Sequence, residues 1–116
     1  AIEEEFAEFS IDFTGHFSHW YDWGTILYPN FIVKNPPEDP RESVKLNNDI
    51  WEVGVSASLA NGGTINEHHG IGLKAGRFMK RQYGDGMKVF DELKEGLDPK
   101  NILNPGKLGL KKRRIR

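Results

Sequence analysis

Apolar positions along the 116-residue chain change period several times, and each change marks an element. Ile2 and Phe6 are spaced for one face of a helix within an acidic start (Glu3, Glu4, Glu5, Glu8), predicting a short helical turn over residues 1–8. From Phe9 the period drops to two. Phe9, Ile11 and Phe13 alternate with Ser10, Asp12 and Thr14, as in a half-buried strand reaching residue 21. Asp22-Trp23-Gly24 reads as a turn, and residues 25–34 as a second strand. Pro29 has no N–H to give to a ladder, so this strand is expected at an edge or a bulge.

After Asn35-Pro36-Pro37 comes a marked helix start. Asp39 suits the cap, Pro40 the first helical position, and Glu42 sits three residues after Asp39 as in a capping box. Leu46, Ile50, Val53 and Ala57 follow at helical spacing, widened by Trp51, Val55 and Leu59, which predicts a buried helix. Gly54 within it costs about 1 kcal/mol relative to alanine, so a close neighbouring backbone is expected there. Asn61-Gly62-Gly63 ends the helix. Residues 64–66 read as a short strand, 72–83 and 86–95 as two more helices, the second stopping at Gly96, and 97–110 as irregular and rich in turns. The order β-β-α-(β)-α-α predicts an α+β fold, an antiparallel sheet covered by helices with an irregular C-terminal tail.

Composition narrows the classes. Hydrophobic content of 37% and charged content of 28% are ordinary for one globular domain. A net charge of -1 speaks against wholesale nucleic-acid binding. Without cysteine there is no disulfide scaffold, thiolate nucleophile or zinc ribbon, and a reducing, cytoplasmic setting is compatible. No apolar run approaches a transmembrane length of ~20 residues, and the start lacks the basic and apolar regions of a signal peptide. The chain opens at Ala1 without an initiator Met, as expected of a cut or processed piece of something longer.

The candidate chemistry concentrates in Gly62-Gly63-Thr64-Ile65-Asn66-Glu67-His68-His69-Gly70-Ile71-Gly72. Glycines bracket one carboxylate and two imidazoles, and a helix N-terminus expected directly after them would favour a nearby anion. Imidazole suits proton abstraction from an alcohol or acid near neutral pH. A plain glycine-rich turn with solvated histidines accounts for the same residues. A metal site is a third alternative, but the three ligands, so close in sequence, share no helical face and no i, i+4 His pair exists. A second stretch, His19-Trp20-Tyr21-Asp22-Trp23-Gly24-Thr25-Ile26-Leu27-Tyr28, reads as a hydrophobic hairpin with polar tips, from which Tyr28 could present a phenol for hydrogen bonding or proton transfer.

The 62–72 segment resembles the active-site motif of FAD-linked oxidases of the vanillyl-alcohol-oxidase type, in the group of glycolate oxidases, D-lactate dehydrogenases and alkylglycerone-phosphate synthases. The segment from Phe90 to Lys107, ending Asn101-Ile102-Leu103-Asn104-Pro105-Gly106-Lys107, is similar to the terminal signature of that group. With the His19–Tyr28 corner, the resemblance covers most of residues 16–110. It implies a ferredoxin-like cap domain, here partial. Residues 1–96 would be the C-terminal part of the substrate-covering cap, and 97–116 a tail returning to an FAD-binding domain absent from this chain. On that basis His69 is the candidate catalytic base, His68 and Tyr28 its assistants, and Asn104, Lys107 and Glu67 the candidate cofactor-binding residues. The resemblance implies FAD as cofactor and a small-molecule substrate, either a 2-hydroxy acid or a lipid precursor. Metal-dependent relatives carry two histidines in the corner. Here only His19 matches and Ile26 replaces the second, so no metal is expected. The corner looks more like the synthases and the Asn-Pro-Gly-Lys ending more like the glycolate oxidases.

Three functions follow as expectations: an FAD-dependent oxidoreductase acting on a 2-hydroxy acid, inactive as an isolated fragment; an ether-lipid synthase exchanging an acyl for an alkyl group without net redox; and a non-catalytic module using Lys111–Arg116 on an anionic partner. Apolar surface exposed by truncation would allow self-association, in its simplest form a homodimer.

Overall fold

A computed structural model describes residues 2–66 and 68–111. The chain divides into two compact units, residues 1–63 and 64–116.

The first unit holds helices α1 (Ile2–Glu5) and α2 (Pro40–Ala60) and strands β1 (Ile11–Tyr21) and β2 (Gly24–Val33). α1 stops after one turn, and a 3-10 turn at Ala7–Phe9 follows it. β1 and β2 form one antiparallel hairpin, with Ile11 opposite Val33, Phe13 opposite Phe31 and His16 opposite Tyr28. Pro29 sits opposite Gly15, where a two-stranded sheet tolerates a missing donor. The register irregularity lies elsewhere, between Phe17 and Trp20.

α2 starts as its sequence dictates. Asp39 accepts a hydrogen bond from Arg41 N–H at 2.8 Å, and Pro40 occupies the first turn. Leu46 and Ile50 join Ile2, Phe6 and Ile11 in one buried cluster, flanked by Phe9, Phe31, Val33 and Val53. Burying each of the two α2 side chains contributes about 1.5–3 kcal/mol. Ala57, expected on the buried stripe, is exposed, because the stripe follows Leu46, Ile50 and Val55. Gly54 meets no neighbouring backbone. A Cβ there would touch the Ile2 side chain at 3.4 Å, an ordinary contact. The helix ends where Gly62 turns left-handed (φ 78°) and Gly63 N–H returns to Ser58 O at 2.8 Å.

Among its described residues the second unit holds helices α3 (Met79–Tyr83) and α4 (Gly86–Leu97). Two expectations fail here. Residues 64–66 form no strand. Instead Thr64 Oγ1 donates to Asn66 O at 2.8 Å, and Ile65 N–H is taken by a side chain. The helix expected over 72–83 shrinks to α3 and a preceding 3-10 turn, Gly76–Phe78. Gly72 adopts φ 53°, outside the right-handed helical region, so residues 70–75 turn without forming a helix. The helix N-terminus therefore does not follow the histidines at once. Buried Ile65, Ala75, Phe78 and Met79 supply the apolar interior of this unit. Among the described residues no helix is long and apolar enough to cross a membrane.

Candidate functional site

The two histidines lie on an exposed strap at the start of the second unit. Upstream, Ile65 is buried and its N–H donates to Gln82 Oε1 at 2.8 Å, seventeen residues away. Downstream, Gly70 (φ 81°) and Gly72 (φ 53°) take left-handed conformations that a side chain would strain. Ile71 O accepts from Ala75 N–H at 3.2 Å, and Gly72 O accepts from Leu108 N–H at 3.3 Å. Between these anchors the His68 and His69 rings meet edge to face, with centroids 4.4 Å apart. Glu67, the third titratable residue of the motif, lies outside the described residues, as do residues 112–116 of the basic tail.

The bond from Leu108 brings the C-terminal tail to the strap. Beside it, two backbones approach without an intervening side chain: a Cβ on Gly109 would stand 2.5 Å from Gly76 O, and one on Gly76 2.8 Å from Gly109 N. The tail is folded by its own backbone. Asn104 (φ 45°) and Leu108 (φ 56°) are left-handed, Lys107 N–H donates to Asn104 O at 3.4 Å, and Gly106 N–H donates to Lys111 O at 3.1 Å. Asn104 is exposed and Lys107 half-buried.

Asp98 organises the root of the tail. It is buried, and its carboxylate accepts from Lys94 Nζ at 2.5 Å and from the N–H groups of Ile102 (3.0 Å) and Leu103 (2.8 Å). The Lys94 bond chiefly holds the Asp98 pKa down, to about 2, helped by the two backbone donors and opposed by burial. Lys94 Nζ also donates to Leu103 O. A cavity of about 120 Å³ opens beside this node, lined by Lys94, Glu95, Asp98, Asn101 and Lys111 among others, and it includes neither imidazole.

Elsewhere in this unit, Arg77 and Arg81 lie over the Phe78 ring at 4.7 and 5.7 Å. Burial lowers the pKa of the Lys74 ammonium, with the Arg77 charge adding to the effect.

Tyr28 belongs to the first unit. It is half-buried on β2 and stacks on His16 across the hairpin, with centroids 5.2 Å apart and planes 24° from parallel. His19 is exposed near the turn, its Nδ1 3.0 Å from Ser18 Oγ. Among the described residues no group of three or more His, Cys, Asp or Glu side chains is placed to hold a metal ion.

Four of the residues singled out from sequence therefore share one unit: His68, His69, Asn104 and Lys107. Sequence reasoning missed Gln82, Asp98 and the Gly76–Gly109 contact. Asp98-Pro99 carried a turn signal that could have flagged the first bend of the tail. Nothing local marks Gln82, whose partner is fixed only by the fold.

Comparison with known proteins places these residues in a family. Residues 1–108 match the family model described as FAD linked oxidases, C-terminal domain. The chain is 36% identical over 94 residues to an alkyldihydroxyacetonephosphate synthase of Trypanosoma brucei brucei, covering 80% of this chain and 15% of that protein. It is 32% identical over 95 residues to an uncharacterised FAD-linked oxidoreductase of Escherichia coli K12, covering 79% and 19%. A third relative, a mitochondrial D-lactate dehydrogenase (cytochrome) of Arabidopsis thaliana, is 32% identical over 72 residues, covering 61% and 12%. The chain thus spans less than a fifth of the length of these relatives. No solved structure gives a significant match. The chain belongs to the family of FAD-linked oxidases, C-terminal domain.

Proposed function

We propose that this member of the FAD-linked oxidase C-terminal family is the last part of the substrate-covering domain of a longer FAD-dependent enzyme, which oxidises a 2-hydroxy acid to the 2-keto acid. Residues 1–96 would complete the cap and residues 97–116 return to the FAD-binding domain. The carrying observation is the hydrogen bond from Leu108 to Gly72, which ties the imidazole strap to the Asn104–Lys107 tail within one unit.

The donor set fits a flavin. The Lys107 ammonium and the Asn104 amide are offered at a surface, and either can bond to ring carbonyl oxygens or to phosphate. Asn104, Lys107 and Glu67 would hold the cofactor. FAD, when bound, supplies the acceptor for the hydride leaving the substrate carbon. The protein handles the proton: as the substrate C–H bond breaks, an imidazole nitrogen of His69 takes the hydroxyl proton, with His68 or Tyr28 assisting. The residues that carry these rings are exposed, as suits a base that meets a substrate. A cytoplasmic location and a homodimer belong to the same proposal. The exposed Phe17, Trp20 and Trp23 of the hairpin favour self-association, which sedimentation would measure.

Anaerobic titration of the full-length flavoprotein with a panel of D-2-hydroxy acids tests the reading. Bleaching of the flavin band by one of them supports it and names the substrate class. A flavin that binds but never bleaches favours the second reading, an ether-lipid synthase exchanging acyl for alkyl without net redox. Its specific support is the match to the trypanosomal synthase over 80% of this chain. Absence of flavin would contradict both and leave the anion-binding module.

A further inference from the structure

The His68–His69 strap has the wrong composition for a rigid base. Gly70 and Gly72 give it backbone freedom, and its described residues form neither strand nor helix. Proton abstraction requires a nitrogen held within hydrogen-bond reach of one hydroxyl. Rigidity has to come from where the strap is fastened, and among the described residues one fastening lies upstream of the histidines and one downstream.

The upstream one is a side chain. Gln82, half-buried near the end of α3, reaches Ile65 N–H at 2.8 Å, three residues before His68. It satisfies the amide of a buried residue that forms no strand. The downstream fastening is backbone: Leu108 N–H to Gly72 O at 3.3 Å, with Gly109 against Gly76. A methyl on Gly109 would stand 2.5 Å from Gly76 O and would also meet Met79 Cβ at 3.3 Å. Backbone and a buried side chain cannot yield as a flexible side-chain end can. Gln82 and Gly76 both lie on the segment that carries buried Ala75, Phe78 and Met79.

We propose that Gln82 and Gly109 are positioning residues for proton transfer by His69: they touch no substrate, but together they fix the strap that carries the imidazole. This rests on the reading of His69 as the base. It extends that reading by naming what holds the base in place, and it couples the tail to the base, because Gly109 follows the cofactor-facing Lys107 by two residues.

The test uses the full-length flavoprotein and the hydroxy acid that bleaches it. Gln82→Met removes the acceptor at nearly constant volume, whereas Gln82→Glu keeps an oxygen for Ile65 N–H. Gly109→Ala disturbs the second fastening. Gly96→Ala, on α4 with open space around it, is the control. Gln82→Met is expected to lower kcat about tenfold or more with KM within about twofold and FAD content unchanged, the signature of a displaced base. Gln82→Glu should recover kcat to within about threefold, Gly109→Ala should fall like Gln82→Met, and Gly96→Ala should match wild type. If Gly109→Ala does not fold, the Gln82 pair decides alone. Wild-type kcat in Gln82→Met, with only thermal stability reduced, overturns the proposal. Full turnover in His69→Gln overturns the base itself and the positioning proposal with it, so the two failures are distinguishable.

Discussion

The two units are built on different principles. The first is periodic: a hairpin with an apolar edge and a 21-residue helix whose cap, stripe and stop are written in consecutive residues. The second has, among its described residues, four buried apolar side chains, short helices, and a tail folded by backbone bonds around a buried carboxylate. Regular elements make the first unit a scaffold. In the second, irregular backbone carries two imidazoles, an ammonium and an amide within one unit, which regular elements do less easily. The difference predicts how each unit breaks.

The largest effect is expected at Phe78, 1% exposed. Phe78→Ala should remove about 3–5 kcal/mol and expose the amides of residues 65–82 to hydrogen exchange in the full-length protein, while amides of α2 stay protected. Equal loss of protection in both units would erase the distinction between them.

Next comes Asp98. Its carboxylate ionises more readily in the folded chain than in the unfolded one, so its stabilising contribution is present above the ordinary value of 3.8 and lost as pH falls toward about 2. Amides of Ile102 and Leu103 should lose protection over that window, and Asp98→Asn should abolish the pH dependence. An unchanged acid profile in the variant would mean that the charge of Asp98 does not hold the tail root.

A smaller effect belongs to the scaffold. Asp39→Ala removes the α2 cap and should cost about 1 kcal/mol, read by denaturant titration and confined to the first turn. Smallest is Gly96→Ala, which should stabilise α4 by about 0.5–1 kcal/mol, because its Cβ enters open space at a right-handed position. A loss there would mean that α4 is packed more closely than its surroundings indicate.

The same division explains what the sequence made legible. The hairpin itself, the Asp39–Pro40 start and the Ile2–Phe6 pair follow from local period and capping, and the structure reproduces them, except that β1 begins at Ile11 because Ala7–Phe9 form a 3-10 turn and Ser10 is left-handed. Local chemistry also singled out the histidine motif and read residues 97–110 as an irregular, turn-rich tail, within which the resemblance pointed to Asn104 and Lys107. It did not show how they are held. Ile65 read as strand, but its N–H is satisfied by a side chain seventeen residues later. The 72–83 helix looked continuous because its apolar residues keep helical spacing, yet Gly72 leaves the right-handed region, and Gly76 serves a close backbone approach to Gly109. Those contacts are long-range, and no window of neighbouring residues contains them. The roles proposed for His69 and Lys107 come from the family resemblance; composition and spacing alone left them open.

The most direct measurement is the anaerobic bleaching rate of full-length His69→Gln with the hydroxy acid that bleaches the wild-type flavin. Unchanged FAD content with bleaching slowed about 10²–10⁴-fold is the predicted result for loss of a general base. Bleaching at the wild-type rate would contradict the assignment of proton abstraction to His69.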